Sequence, residues 1–145
     1  MQIVRSRPVI IAVTITVALT ALVYAQGAQT FKARLSPVPV DATNQAATTG
    51  VGTVTAMLTG TKLSVSGTFS GLQTPATIAQ VHVGPRGITG PPALDLAVTK
   101  ATSGTLQGEF MLTSAQVDHL KRARLYVQIH SEKAPDGNLR GWLLP

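Results

Sequence analysis

From about residue 30 onward, apolar and polar positions alternate in short runs, the period of a half-buried β-strand. Residues 30–35 place Phe31, Ala33 and Leu35 on one face. Residues 52–59 set Val54, Ala56 and Leu58 against Thr53, Thr55, Met57 and Thr59. Residues 62–70 set Leu63, Val65, Gly67 and Phe69 against Lys62, Ser64, Ser66, Thr68 and Ser70. Gly60-Thr61 between these two runs makes them the clearest hairpin in the chain. Further strands are expected at 77–83, 93–98, 104–112, 124–131 and 139–144. Residues 36–49, with Pro37, Pro39 and many small polar side chains, read as a loop or a loosely paired edge. Residues 84–92 form a long Gly/Pro loop, and Pro135-Asp136-Gly137-Asn138 reads as a turn. Period two breaks at 113–122. There Thr113 suits an N-cap, Gln116 completes a capping box, and Val117 and Leu120 share one face of a short helix. About eight short strands without long helical crossovers predict an all-β fold, an antiparallel Greek-key β-sandwich or flattened barrel with one short helix.

Residues 1–25 obey a different pattern. Arg5 and Arg7 carry the only charges, and 9–25 holds only apolar residues, Thr and Tyr. A basic start followed by an apolar run is the signature of a signal peptide, with cleavage expected after Ala25 and Ala28 as the second choice. The rival is a retained anchor. A helix of about 17 residues spans roughly 25 Å, less than the roughly 30 Å hydrocarbon core, which favours cleavage. The expected product is one domain, 26–145, secreted or periplasmic, with no membrane insertion once the signal is removed.

Composition narrows the class. A chain of 145 residues suits one domain. Charged residues are 12%, about half the usual share, which fits β structure better than exposed helix. The absence of cysteine excludes disulfides, thiolate metal sites, a cysteine nucleophile and a lipoprotein anchor at a thiol. An exported chain held by its core alone fits a bacterial envelope protein better than a small eukaryotic extracellular module. Without Arg5 and Arg7, ten basic residues face six acidic ones, a net charge of about +4. Aromatics are only 4% and the charges are dispersed, which argues against a nucleic-acid partner. The densest basic group, Lys121, Arg122 and Arg124, suits the C-terminus of the helix.

Three histidines offer the only candidate chemistry of note. His119 is expected on the solvated surface of the helix. Gln80 and His82 lie two apart, as do Gln128 and His130, and Tyr126 shares the second pair's face. If the two strands are neighbours, these side chains form one polar patch. The bland reading is a hydrogen-bonded or solvated outer face of a sandwich, since antiparallel sheets normally keep one wet side. The functional reading is a ligand or metal site built on neutral imidazoles, suited to Cu(II) or Zn(II). Two histidines fall short of the roughly four ligands zinc prefers, and nothing in the spacing requires Asp95, Glu132 or Asp136 to supply the rest. No Gly-x-Ser-x-Gly elbow, paired-carboxylate motif or phosphate-binding loop is present.

Two ordered motifs carry a resemblance. Val81-His82-Val83-Gly84-Pro85, then Gly87 and Gly90-Pro91, resembles the central His-Gly-Pro motif of the CHRD (chordin-type) domain. Leu125-Tyr126-Val127-Gln128-Ile129-His130-Ser131, then Pro135-Asp136-Gly137-Asn138-Leu139-Arg140-Gly141, resembles its closing motif. Leu112-Thr113 with Ala115-Gln116-Val117 resembles the helix entry between them, and the likeness covers about residues 30–145. It implies an extracytoplasmic all-β domain not established as an enzyme. In animals the family is known from chordin, which binds growth factors; in bacteria it occurs as small exported proteins. Likeness to the Cu/Zn superoxide dismutase sandwich is a matter of fold alone. His82, His130 and Arg140 match the family pattern, and Arg140 is expected to support the closing hairpin. Gln80 stands where many members have a first His, Asn138 where they have Glu, and Trp142 where they have a polar residue. These departures weaken a metal or dismutase reading.

The expected protein is therefore a non-catalytic binding or structural module of the cell envelope, with no cofactor. It would meet an envelope protein or a carbohydrate through the 84–92 loop, the face bearing Gln80, Tyr126, Gln128 and Arg140, or both. The alternative is a copper- or zinc-binding protein that uses His82 and His130.

Overall fold

The alternating runs fold into eight antiparallel strands in a computed structural model that describes residues 27–145. The expected signal segment, 1–25, lies outside the described residues. In chain order come β1 (Gln29–Pro37), β2 (Val51–Thr59), β3 (Lys62–Ser70), β4 (Ala76–Val83), β5 (Pro92–Val98) and β6 (Gly104–Met111). They are followed by α1 (Ser114–Lys121), β7 (Leu125–Ser131) and β8 (Ala134–Trp142). The strands close into a barrel in the order β1-β2-β3-β6-β5-β4-β7-β8. The chain leaves the β2–β3 hairpin to start β4 elsewhere on the wall, then returns through β5 to place β6 beside β3. That excursion is the Greek-key step, and it puts β4 next to β7.

Alternation fixes which side chains go inward. Phe31, Leu35, Val54, Leu63, Val65, Phe69, Val81 and Leu106 fill the barrel together with Leu125, Val127, Ile129, Leu139 and Leu143. Their partners in sequence, chiefly Thr, Ser and Lys, face out on β2 and β3. Two seams are short. β5 meets β6 through Ala97↔Gln107 and Val98↔Leu106. β1 meets β8 through Ser36↔Arg140 and Pro37↔Leu139, with Lys32 bridging to Leu144.

Helix α1 starts where its sequence dictates and packs Leu120 against the core. Thr113 Oγ1 accepts from the Gln116 amide at 3.2 Å, and Gln116 Oε1 accepts from the Thr113 amide at 2.9 Å. Leu120 is buried and Val117 packs partly against the core. The helix ends on Ala123, which takes a left-handed φ of 55°. His119 differs from expectation. It is half-buried, and its Nδ1 lies out of water without a partner among the described residues. Among the described residues no helix is long and apolar enough to cross a membrane.

One predicted turn is not a turn. Glu132 and Lys133 reverse the chain, and Pro135, Asp136, Gly137 and Asn138 all lie inside β8. Ser131 pairs with Ala134, and Ile129 pairs with Leu139. His130 alone on β7 therefore faces the residues 135–138, and β8 bulges outward. Gly137 supplies the φ of 133° that the bulge requires. Asn138 is fully buried, accepting from Ser131 Oγ at 2.9 Å and donating to the Thr49 carbonyl at 2.7 Å. Long-range bonds thus hold as a bulge what local turn chemistry alone would make a turn.

Candidate functional site, a capped polar layer outside the barrel

The ladder brings the two Gln-x-His strands side by side. His82 of β4 stands opposite Tyr126 of β7, which stands opposite Trp142 of β8. In the adjacent register, Gln80 stands opposite Gln128, and Gln128 opposite Arg140. His130 faces Ile78, yet its ring centroid comes within 6.2 Å of the His82 ring.

Of the two bland alternatives the structure takes the hydrogen-bonded one: the centre of this face is dry, while Gln80 and His130 at its margin are half-buried. His82 is 6% exposed, Tyr126 1% and Gln128 4%. The cover is the 84–91 loop, which folds back over β4 and β7. The Tyr126 hydroxyl accepts from the Gly90 amide and donates to the Gly90 carbonyl, each at 3.0 Å. His82 Nδ1 lies 2.9 Å from the same carbonyl. Trp142 Nε1 donates to the Gly84 carbonyl at 3.0 Å. Glycine is needed where the loop doubles on itself. A Cβ at Gly90 would collide with the Val83 carbonyl, and one at Gly84 with that of Ile88. The His-Gly-Pro motif read from the sequence is thus a clamp, with the histidine as one of its tie-points.

Proton directions follow from the partners. A carbonyl only accepts, so His82 carries its proton on Nδ1, and so does His130, whose Nδ1 lies 2.7 Å from the Pro135 carbonyl. Arg140 only donates, so its bond from Nε to Gln128 at 2.7 Å assigns Oε1 to the arginine side. The Gln128 amide nitrogen then donates to His130 Nε2 at 3.2 Å and to the Asp136 carbonyl at 3.3 Å. The chain Arg140, Gln128, His130, Pro135 runs in one direction and ties β7 to the bulge of β8. Gln80 stands beside it and donates to Asp95 Oδ1 at 2.8 Å.

The rings form a stack. His82 lies 4.9 Å from Tyr126, and Tyr126 lies 4.9 Å from Trp142. The Arg140 guanidinium sits 5.5 Å from the Tyr126 centroid. Burial holds the His82 imidazole below its ordinary value; the Gly90 carbonyl opposes this, and His130 and Arg140 reinforce it. His82 Nε2 is buried without a partner among the described residues.

For a metal, the layer offers the Nε2 atoms of two imidazoles, each with a carbonyl behind Nδ1, the usual outer arrangement of a histidine ligand. His130 Nε2 is already engaged by Gln128, and the Arg140 cation lies close by. Among the described residues no three His, Cys, Asp or Glu side chains gather around one point.

Sequence reasoning missed Trp142 and Asn138 as parts of this assembly. Trp142 is the only tryptophan and departs from the pattern the chain resembles, a signal that the sequence itself carries. Asn138 also departs from that pattern, but its partner Thr49 lies 89 residues away, so the departure did not reveal what it holds.

Comparison with known proteins agrees with the architecture. The CHRD domain family model matches residues 31–143. No curated protein and no solved structure matches the chain. The match encloses the clamp loop, the helix entry and the bulged closing hairpin, and the chain belongs to the CHRD domain family.

Proposed function

We propose that this CHRD-family chain is an exported, non-catalytic binding module of the cell envelope. The supporting observation is the role of its imidazoles. His82 and His130 each tie a backbone carbonyl through Nδ1, and they fasten the 84–91 loop and the β8 bulge. Side chains placed as braces give a rigid surface, and rigidity lowers the entropic cost of binding a partner. Secretion to the periplasm or medium follows from the N-terminal segment, and the partner is an envelope carbohydrate or protein. The test is to isolate the protein from fractionated cells, weigh the mature chain by mass spectrometry, and titrate it with envelope polysaccharide and envelope protein fractions. Saturable binding to one fraction, with the ligand recovered unchanged, is expected. Turnover of either fraction, or retention of the chain in the cytoplasm, refutes the reading.

A second reading, copper or zinc held by His82 and His130, draws on one observation. Both rings keep Nδ1 against a carbonyl and so leave Nε2 as the metal-competent nitrogen. The nearby Arg140 cation weighs against it. Calorimetric titration with Cu(II) and Zn(II) decides it, because binding at these histidines must vanish in the His82→Ala/His130→Ala variant while the fold survives.

A further inference from the structure

Following the ladder pairs around the wall places outward side chains in two adjacent rows. One row runs Thr105, Thr68, Thr53 and Arg34 across β6, β3, β2 and β1. The seam pairs Ser36↔Arg140 and Lys32↔Leu144 set Arg34 opposite Trp142, so the row continues into the aromatic stack. The next row carries Ser70 and Val51, passes Ser36 on β1, and reaches Arg140. Arg34, Arg140 and Trp142 therefore gather at the β8–β1 seam. Beside them Arg34, Val51, Thr53, Thr68 and Ser70 line an open groove of about 600 Å³.

Two features of this face lack a partner among the described residues. Neither arginine has a carboxylate, for the ion pairs among the described residues are Lys62–Glu109 and Arg122–Asp118. Arg140 is half-buried and, among the described residues, is hydrogen-bonded only through Nε, which leaves both Nη groups as an oriented fork. A half-buried cation without a counter-charge is costly unless an anion completes it. The hydroxyls of Thr53, Thr68 and Ser70 are likewise unbonded among the described residues, and Trp142 is half-buried with its ring fixed by Gly84 and Tyr126.

We propose that this seam binds the carboxylate-bearing sugars of an acidic polysaccharide, with Arg140 and Arg34 meeting carboxylates, Trp142 a sugar ring, and the groove hydroxyls the sugar hydroxyls. The inference rests on the binding-module reading and names its ligand. Two guanidiniums among three hydroxyls and one indole match a ligand that joins carboxylates to sugar hydroxyls and an apolar ring face. Polyphosphate offers neither hydroxyls nor a ring to the groove and the indole, and a nucleic acid draws on a denser basic surface.

The test titrates the purified protein with polygalacturonate, with dextran as the uncharged polysaccharide and polyphosphate as the anion without sugar. Arg140→Lys keeps the charge and removes the fork; Arg34→Gln removes an exposed cation outside the Gln128 network. Polygalacturonate is expected to bind saturably, with dextran and polyphosphate weaker by about tenfold or more. Each variant is expected to weaken polygalacturonate binding by about tenfold, with the thermal midpoint of Arg34→Gln unchanged. Equal affinity for polyphosphate, or unchanged affinity in both variants, overturns the assignment. Failure to bind polygalacturonate while envelope protein still binds overturns the sugar ligand alone; loss of all envelope binding overturns the module reading beneath it.

Discussion

Arg140 donates from Nε to Oε1 of Gln128 across 2.7 Å, and this contact orients the polar layer beneath it. Because the arginine takes the oxygen, the Gln128 nitrogen must face His130 and Asp136, and His130 must present its lone pair. Truncating Gln128 leaves a buried donor and acceptors unmade at once. Gln128→Leu is expected to cost about 2–3 kcal/mol in urea unfolding. Combined with Arg140→Met the losses should fall short of their sum, since both act on one network. Strict additivity in the double-mutant cycle would show the two residues acting independently.

His82 makes stability depend on pH. Its folded pKa is depressed, chiefly by burial, with His130 and Arg140 adding to the effect and the Gly90 carbonyl opposing it. The unfolded chain therefore takes up a proton that the folded chain refuses. Its contribution is fully present above the unfolded value near 6.5 and is lost as pH falls below that value through the folded one. Between pH 7.5 and 5 the urea midpoint should drop, with a slope of at most about 1.4 kcal/mol per pH unit from this group. In His82→Phe the drop should shrink; an identical drop in both proteins assigns the slope to other groups.

The clamp loop separates two uses of glycine. At Gly87 a Cβ meets nothing, and only the φ of 83° disfavours a side chain. Gly87→Ala should cost about 1 kcal/mol. At Gly90 the Cβ would strike the Val83 carbonyl, so Gly90→Ala must displace the loop and uncover His82 and Tyr126. Amide exchange at 84–90 should accelerate strongly in Gly90→Ala and little in Gly87→Ala. Equal protection in the two variants contradicts the close approach.

Ala123 ends α1 at a φ of 55°, a conformation in which its Cβ is strained. Ala123→Gly is expected to raise stability by about 0.5–1 kcal/mol, the reverse of glycine's usual effect, read as a higher urea midpoint at unchanged slope. A lower midpoint would mean that relief of strain is smaller than the entropy lost on ordering glycine.

Local chemistry alone determined much of this protein. The alternation at 52–59 and 62–70 settled the hairpin and its inward face, because a strand's two faces depend only on residues two apart. Thr113 and Gln116 located the helix start, because a capping box lies within four residues. The His-Gly-Pro and closing motifs pointed to the family through residue order alone.

Tertiary structure decided what no window of sequence contains. Pro135-Asp136-Gly137-Asn138 has the composition of a turn, but bonds from Gln128, His130, Ser131 and Thr49 hold it as a bulge inside β8. The Gln/His face reads as either hydrogen-bonded or solvated, and a loop returning from β4 over His82 and Tyr126 decides for the first; only strand order puts that loop above Tyr126. Arg34 and Trp142 stand 108 positions apart and come to opposite register positions because the barrel closes between β1 and β8. Periodicity reports a residue's near neighbours along the chain; which distant segment covers it, and whether a charge finds a partner, follows from the closure of the sheet.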